Sequence, residues 1–363
     1  MLKNLKIWQK LLLASVVFLP PMGYLLYVGV QGINYDIRFS QWEIYGDRYQ
    51  RPLERLLKTI SEHGFLTHQY LDSKSDDLKK ALRAKEAEVD AAFVELQAID
   101  KELGEALQFT QEGLLKRNRV HTQVKNLLPE WTDLKGKEDS ITAAASREKH
   151  FHLAADLRSM ITHAGDMSNL ILDPDLDTYY IMDVTLLALP QSQDRLSSVL
   201  MDGYDILKAG GEISSQDRTK LAVYAAMLKE ADRERVFTST NTALNEDKNF
   251  YGIVQSFHLD IPLALDVYGD KTKFLIDMLN DIALSPSTTI TPAEFSKAGT
   301  AAHQASFEFW DKMVASNDAL ITDRLNGLRK QRLMTYAIAG GSLVLAILLF
   351  VFITRRVARD SAA

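Results

Sequence analysis

The sequence predicts an all-α protein: an elongated antiparallel helical bundle, most economically two stacked bundle modules, flanked by two transmembrane helices. Three observations carry this expectation. Apolar residues recur at helical spacing along most of the chain. Glycine (18) and proline (9) are sparse for 363 residues, which suits long helices better than a turn-rich β fold. Two charge-free apolar blocks, residues 11–30 and 333–353, bracket everything else.

Each block is long enough, at 1.5 Å per residue, to cross a hydrocarbon core of about 30 Å. Pro20 and Pro21 are expected to kink the first. Gly340, Gly341, Ala337, Ala339 and Ala346 give the second small residues for close helix packing. The first block follows a basic start, as a signal peptide does. Its apolar run is too long for a cleaved h-region, however, and no A-x-A site follows, so an uncleaved anchor is expected. Lys3, Lys6, Lys10, Arg355, Arg356 and Arg359 flank the blocks on one side, which makes both tails cytoplasmic by the positive-inside rule. Arg329, Lys330 and Arg332 oppose this, but a long translocated segment weakens their vote. The expected layout is a cytoplasmic tail (1–10), a span (11–30), an external helical domain (31–332), a second span (333–353) and a short cytoplasmic tail (354–363); in a bacterium the membrane would be the inner one and the external domain periplasmic.

Between the spans, Leu78, Leu82, Val89, Phe93, Leu96 and Leu103 form one apolar stripe. Lys79, Lys80, Arg83, Glu86, Glu88 and Asp90 should face solvent. Ser75-Asp76-Asp77 starts this helix, Ser214 with Asp217 starts another, and Thr291-Pro292-Ala293-Glu294 reads as a capping box with proline at N1. Gly136, Gly210-Gly211 and Ser285-Pro286-Ser287 are stops. These signals predict helices over 34–72, 77–108, 111–130, 138–172, 176–209, 214–249, 253–284 and 292–332. Pro52, Pro190 and Pro262 should kink or split theirs. The first and last helices, about 60 Å each, exceed what one four-helix bundle needs, which suggests two bundles sharing them.

Composition excludes several functions. The absence of cysteine removes disulfides, thiolate metal sites and cysteine nucleophiles. A net charge of −6 gives no field to attract phosphates, so nucleic acid is not an expected partner. No nucleophile elbow, Walker loop, dinucleotide fingerprint or H-E-x-x-H pair occurs, and neither an enzyme nor a cofactor is expected.

The densest polar cluster is residues 172–183. Asp173, Asp175 and Asp177 imitate calcium-loop positions 1, 3 and 5, but Thr178 and Val184 stand where glycine and glutamate are required. A helix–turn–helix link is the plainer reading, with Pro174 breaking one helix and Asp175 or Asp177 capping the next. The alternative is a polar ligand held by Asp173, Asp175, Asp177, Tyr179 and Tyr180. An anionic ligand would also need a cation such as Arg158, Arg51 or Arg55. Glu148, His150 and His152 lie close in sequence, but i and i+2 do not share a helix face, so no metal site is assigned. His163 reads as a packed or surface histidine.

Residues 168–183 (SNLILDPDLDTYYIMD) resemble a motif of the helical sensor regions of bacterial transmembrane receptors, chiefly methyl-accepting chemotaxis proteins and sensor histidine kinases. Residues 49–53 (YQRPL), 107–110 (LQFT) and Gly113-Leu114 are similar to further pieces. The resemblance implies a transmembrane signal receptor that senses a periplasmic small molecule or protein, works as a homodimer and passes a helix displacement to a cytoplasmic partner or output domain. It does not choose among chemotaxis, kinase and cyclase outputs. Only ten residues follow the second span, so no HAMP relay or output module is matched. Phe295, Ala302, Phe309 and Met313 mark a candidate dimer seam on the last helix, or else that helix's own core face. The rival expectation is a membrane-tethered helical scaffold for another envelope protein.

Overall fold

The computed structural model describes residues 7–360, and every regular element among them is helical. Lys3, Lys6 and the side chain of Arg359, assigned above to the basic flanks, lie outside the described residues. The α-helices are α1 (Ile7–Ser73), α2 (Asp76–Leu103), α3 (Gln111–Leu115), α4 (Val124–Leu134), α5 (Ala143–Met167), α6 (Leu176–Met182), α7 (Leu189–Ala209), α8 (Ser215–Ala226), α9 (Glu234–Glu246), α10 (Gln255–Leu284) and α11 (Pro292–Asp360). The chain divides into two units, residues 1–41 with 322–363, and residues 42–321.

The first unit holds the apolar blocks. Leu13, Val17, Phe18 and Leu25 on α1, and Leu343, Leu345, Leu348 and Phe352 on α11, are exposed. Both helices are long and apolar enough to cross a membrane. α1 stays helical through Pro20 and Pro21, and α11 through Gly327. Arg332 donates a hydrogen bond to Asn34 (2.8 Å).

The second unit is built on apolar stripes. One core cluster joins Tyr49, Leu53, Leu57 and Ile60 of α1 to Val89, Phe93 and Leu96 of α2, Leu127 and Trp131 of α4, and Leu153, Leu157 and Ile161 of α5. Two further clusters are built on α6 to α11, with Phe295, Ala302, Phe309 and Met313 among their buried members. Phe65 of α1 packs with Leu200 and Met201 of α7. α1 supplies the first cluster and α11 chiefly the others, joining the first through Phe307. The four residues read as a candidate dimer seam fill this chain's own core instead.

Local chemistry explains most boundaries. Thr291 and Glu294 form the expected reciprocal capping box: the Glu294 amide donates to Thr291 Oγ1 (3.2 Å), and the Thr291 amide to Glu294 Oε2 (2.9 Å). Ser214 caps α8 through the Asp217 amide (3.1 Å). Ser75 precedes α2, but its hydroxyl makes no cap bond. The helix expected over 111–130 is two, α3 and α4. Asn118 has φ +55°, the Arg119 amide donates to the Leu114 carbonyl and the Asn118 amide to Leu115, a Schellman ending in which asparagine stands where glycine is usual. The helix expected over 138–172 starts at Ala143 and ends at Met167, because Asn169 is left-handed (φ +68°). Glu86 is not solvated as expected. It is buried and accepts from the Gly136 amide (3.0 Å) and from Arg83.

Pro52 and Pro262 lie inside unbroken helices, whereas Pro190 accompanies a change of hydrogen bonding. Between α6 and α7, residues 183–188 form a π-turn in which the Leu189 amide donates to Val184 rather than Thr185. The freed Thr185 carbonyl accepts the indole N–H of Trp310 (2.8 Å), itself fully buried. Trp310→Phe should orphan that carbonyl and cost about 1–3 kcal/mol. Trp310→Ala adds a cavity and should cost about 3–5 kcal/mol. Denaturant unfolding of the full chain in detergent measures both; unfolding of Trp310→Phe at the wild-type midpoint contradicts the assignment.

Candidate functional site

The second unit buries polar side chains where a helical bundle normally puts leucine. On α1, Glu43, Asp47, Gln50 and Glu54 follow the 4–3–4 spacing of a core seam, and all are at most 3% exposed. On α11, Ser296, His303, Trp310 and Asn317 recur at intervals of seven and are also buried. The two helices run antiparallel here. Asn317 donates to Asp47 Oδ2 (2.7 Å), and Arg51 donates to Asp318.

Burial dominates the electrostatics of this seam. Glu54 is pushed up to about 8 by desolvation, with the Gln193 amide opposing the shift and Asp311 adding to it. Asp47 is raised well above the carboxylate range by burial and by Asp318; Asn317 and Arg51 hold it down, and Asp173 adds to the rise. Asp311 is raised by burial against the pull of Lys58, Arg51 and Arg55. His303 is lowered to about 3 by burial and then by Lys58, and its Nε2 meets the Ser197 hydroxyl at 3.2 Å.

A groove of about 680 Å³ opens beside the seam. Its walls are Arg51, Glu54, Arg55, Lys58, Thr59 and Glu62 of α1, Lys85, Glu88 and Glu95 of α2, and Gln304, Phe307 and Asp311 of α11. A second cavity of about 550 Å³ shares Glu62, Lys85 and Gln304 and continues past Phe65, Ser197 and Lys297. Arg55 pairs with Glu95, and Lys85 with Glu62 (2.7 Å) and Glu88 (2.6 Å). Lys58, half-buried, acts on Asp311 and His303 as a charge at longer range. Its lining sets four basic side chains against five carboxyls, and Arg51, Arg55 and Lys85 already pair with carboxylates, so the groove suits a small polar molecule without selecting the sign of its charge.

The residues singled out in the sequence are distributed rather than gathered. The 168–183 segment turns between α5 and α6. Asp173 Oδ1 accepts from the Asp175 amide (3.0 Å), and Asp177 Oδ1 from the Thr178 amide (2.7 Å). Asp175 occupies the N-cap position of α6 without a side-chain cap bond. Asp173 is close enough to raise the Asp47 carboxyl. Gly46 lets this segment approach: a Cβ there would lie 2.1 Å from Ser168 Oγ and 2.6 Å from Leu170 Cδ1. Tyr179 is exposed, and Tyr180 packs on the second core cluster. Arg158 faces Asp194 (3.3 Å). Arg51 and Arg55 do line the groove.

The histidines separate as helix geometry requires. His150 is buried; its Nδ1 bonds the Ser146 carbonyl (2.7 Å), so its Nε2 accepts from His63 Nδ1 (2.8 Å). Burial holds His150 near 4 and His63 near 2, so the pair is neutral. His163 is buried against the Leu107 and Gln108 carbonyls. His152 points elsewhere, toward His121, Glu130 and Asp156.

No protein-family model, curated protein or solved structure matches this chain.

The seam fixes a sign for the pH dependence of folding. A carboxyl raised from 4.5 to about 8 contributes stability below its unfolded value and loses it as pH climbs through the folded one. The neutral buried histidines act oppositely, their contribution falling as pH drops below about 6.5. Between pH 6.5 and 8 the Glu54 contribution is therefore separable. Glu54→Gln should gain on wild type by about 2 kcal/mol across that window, at about 1.4 kcal/mol per unit. Denaturant midpoints at both pH values measure the difference; a constant difference contradicts a buried, neutral Glu54.

Proposed function

We propose that this chain is the input module of a two-pass signal receptor in the bacterial cytoplasmic membrane, of the chemoreceptor type, with residues 31–332 in the periplasm. The observation that carries the reading is that the groove is walled by α1 and α11, the same two helices that hold the apolar blocks. A ligand seated against Arg55, Lys58 and Asp311 contacts both helices at once. If it prefers one register of the pair, binding shifts the population toward that register, and shifts of 1–2 Å are the usual size of such helix movements. The likeness of residues 168–183 to receptor sensor regions supports the same reading. The chain then carries no catalysis and signals through a cytoplasmic partner or output domain, as a homodimer.

A second reading, a membrane-tethered scaffold, is favoured by one feature. Leu259, Leu263, Val267 and Phe274 form an exposed apolar stripe along α10, each more than half exposed. In the receptor reading the stripe meets a second copy of the chain; in the scaffold reading it meets a different protein.

A thermal-shift screen of the full chain in detergent against small carboxylates, amino acids and other polar metabolites separates the two. A compound at 100 times its Kd should stabilise the protein by about 2.7 kcal/mol. Lys58→Ala and Arg55→Ala should each abolish the response. A folded protein that no compound stabilises favours the scaffold. Light scattering on Leu263→Glu is the companion test: the receptor reading expects a dimer that this substitution weakens, and a wild-type monomer contradicts it.

A further inference from the structure

We infer that His121, Glu130, His152 and Asp156 form a binding site for a divalent transition-metal ion of the zinc type. One donor atom from each lies within 4.8 Å of the other three. The residues come from three places: His121 from the loop before α4, Glu130 from α4, and His152 with Asp156 from one face of α5 at i, i+4.

The geometry demands a cation. His121 Nδ1 lies 2.8 Å from Asp156 Oδ2, and its Nε2 lies 2.9 Å from Glu130 Oε1. A neutral imidazole carries one N–H, so one of these contacts would set a lone pair against a carboxylate oxygen. His152 Nε2 faces the same two carboxylates at 3.5 and 3.7 Å, long for hydrogen bonds. In a tetrahedral zinc site with bonds near 2.05 Å, neighbouring donors stand about 3.4 Å apart, so the four donor atoms, one from each residue and within 4.8 Å of one another, would need only to draw together around the ion. One divalent ion would neutralise both carboxylates and let each imidazole ligate as a neutral base.

The donor set selects the metal. Two imidazoles with two carboxylates suit zinc, nickel or copper, whereas calcium and magnesium prefer all-oxygen shells. Surface ion pairs alone would leave the arrangement worth little, because both histidine side chains are about half exposed. The site would tie the loop before α4 to α5.

The test is a Zn²⁺ titration of the full chain in detergent, read by competition with a chromogenic chelator. One ion per chain is expected. His121→Ala, His152→Ala and the isosteric Asp156→Asn should each weaken affinity at least tenfold, with unchanged circular dichroism. His258→Ala, whose histidine pairs with Asp247, should leave affinity within twofold. Absence of stoichiometric Zn²⁺ binding would overturn the assignment. Equal affinity in wild type, His121→Ala and His152→Ala would overturn it too.

Discussion

Desolvation of the polar stripe on α1 is the constraint on which the second unit depends. Glu43, Asp47, Gln50 and Glu54 occupy the positions that an ordinary bundle fills with aliphatic side chains. Burying a carboxylate costs several kcal/mol unless it is neutralised or bonded. Here Asn317 bonds Asp47, the Gln193 amide lies beside Glu54, and protonation removes the rest of the penalty. The Asn317–Asp47 bond forms in one register of α1 against α11. Aliphatic seams tolerate sliding far better, so a polar seam specifies position even where it adds little stability.

The rest of the unit follows from that pairing. The groove exists because charged residues one turn along α1, Arg51, Arg55 and Lys58, cannot enter the same seam and stand at its edge. The π-turn before α7 releases the Thr185 carbonyl to Trp310, which locks α11 against the chain that carries Gln193. Gly46 admits the 168–183 turn, whose Asp173 opposes ionisation of Asp47. Packing and electrostatics thus meet on the same two helices.

Much of the fold was legible because helices announce themselves locally. The apolar stripe of α2, the Thr291 capping box and the glycine stops are short-range signals, and each stands where the spacing placed it. Asn118 was a legible stop that the spacing argument passed over, since asparagine tolerates the left-handed region less conspicuously than glycine. The seam was legible in part: four polar residues at 4–3–4 spacing lie in plain view, yet polar residues on a helix are ordinarily solvated, and only tertiary packing reveals these as buried. The aspartates at 173, 175 and 177 drew notice by density, but two of them serve the turn locally. His121 and His152 are 31 positions apart, and no spacing rule brings a loop residue onto the face of α5.

The protonation state of Glu54 tests this account most directly. Infrared difference spectra of the full chain, wild type against Glu54→Gln, report it through the C=O stretch of a neutral carboxylic acid. The account predicts that this band is present at pH 7, missing in Glu54→Gln, and lost with a midpoint near 8. A carboxylate already ionised at pH 6 would mean that the α1 face is hydrated, and the seam would not set the register of the two helices.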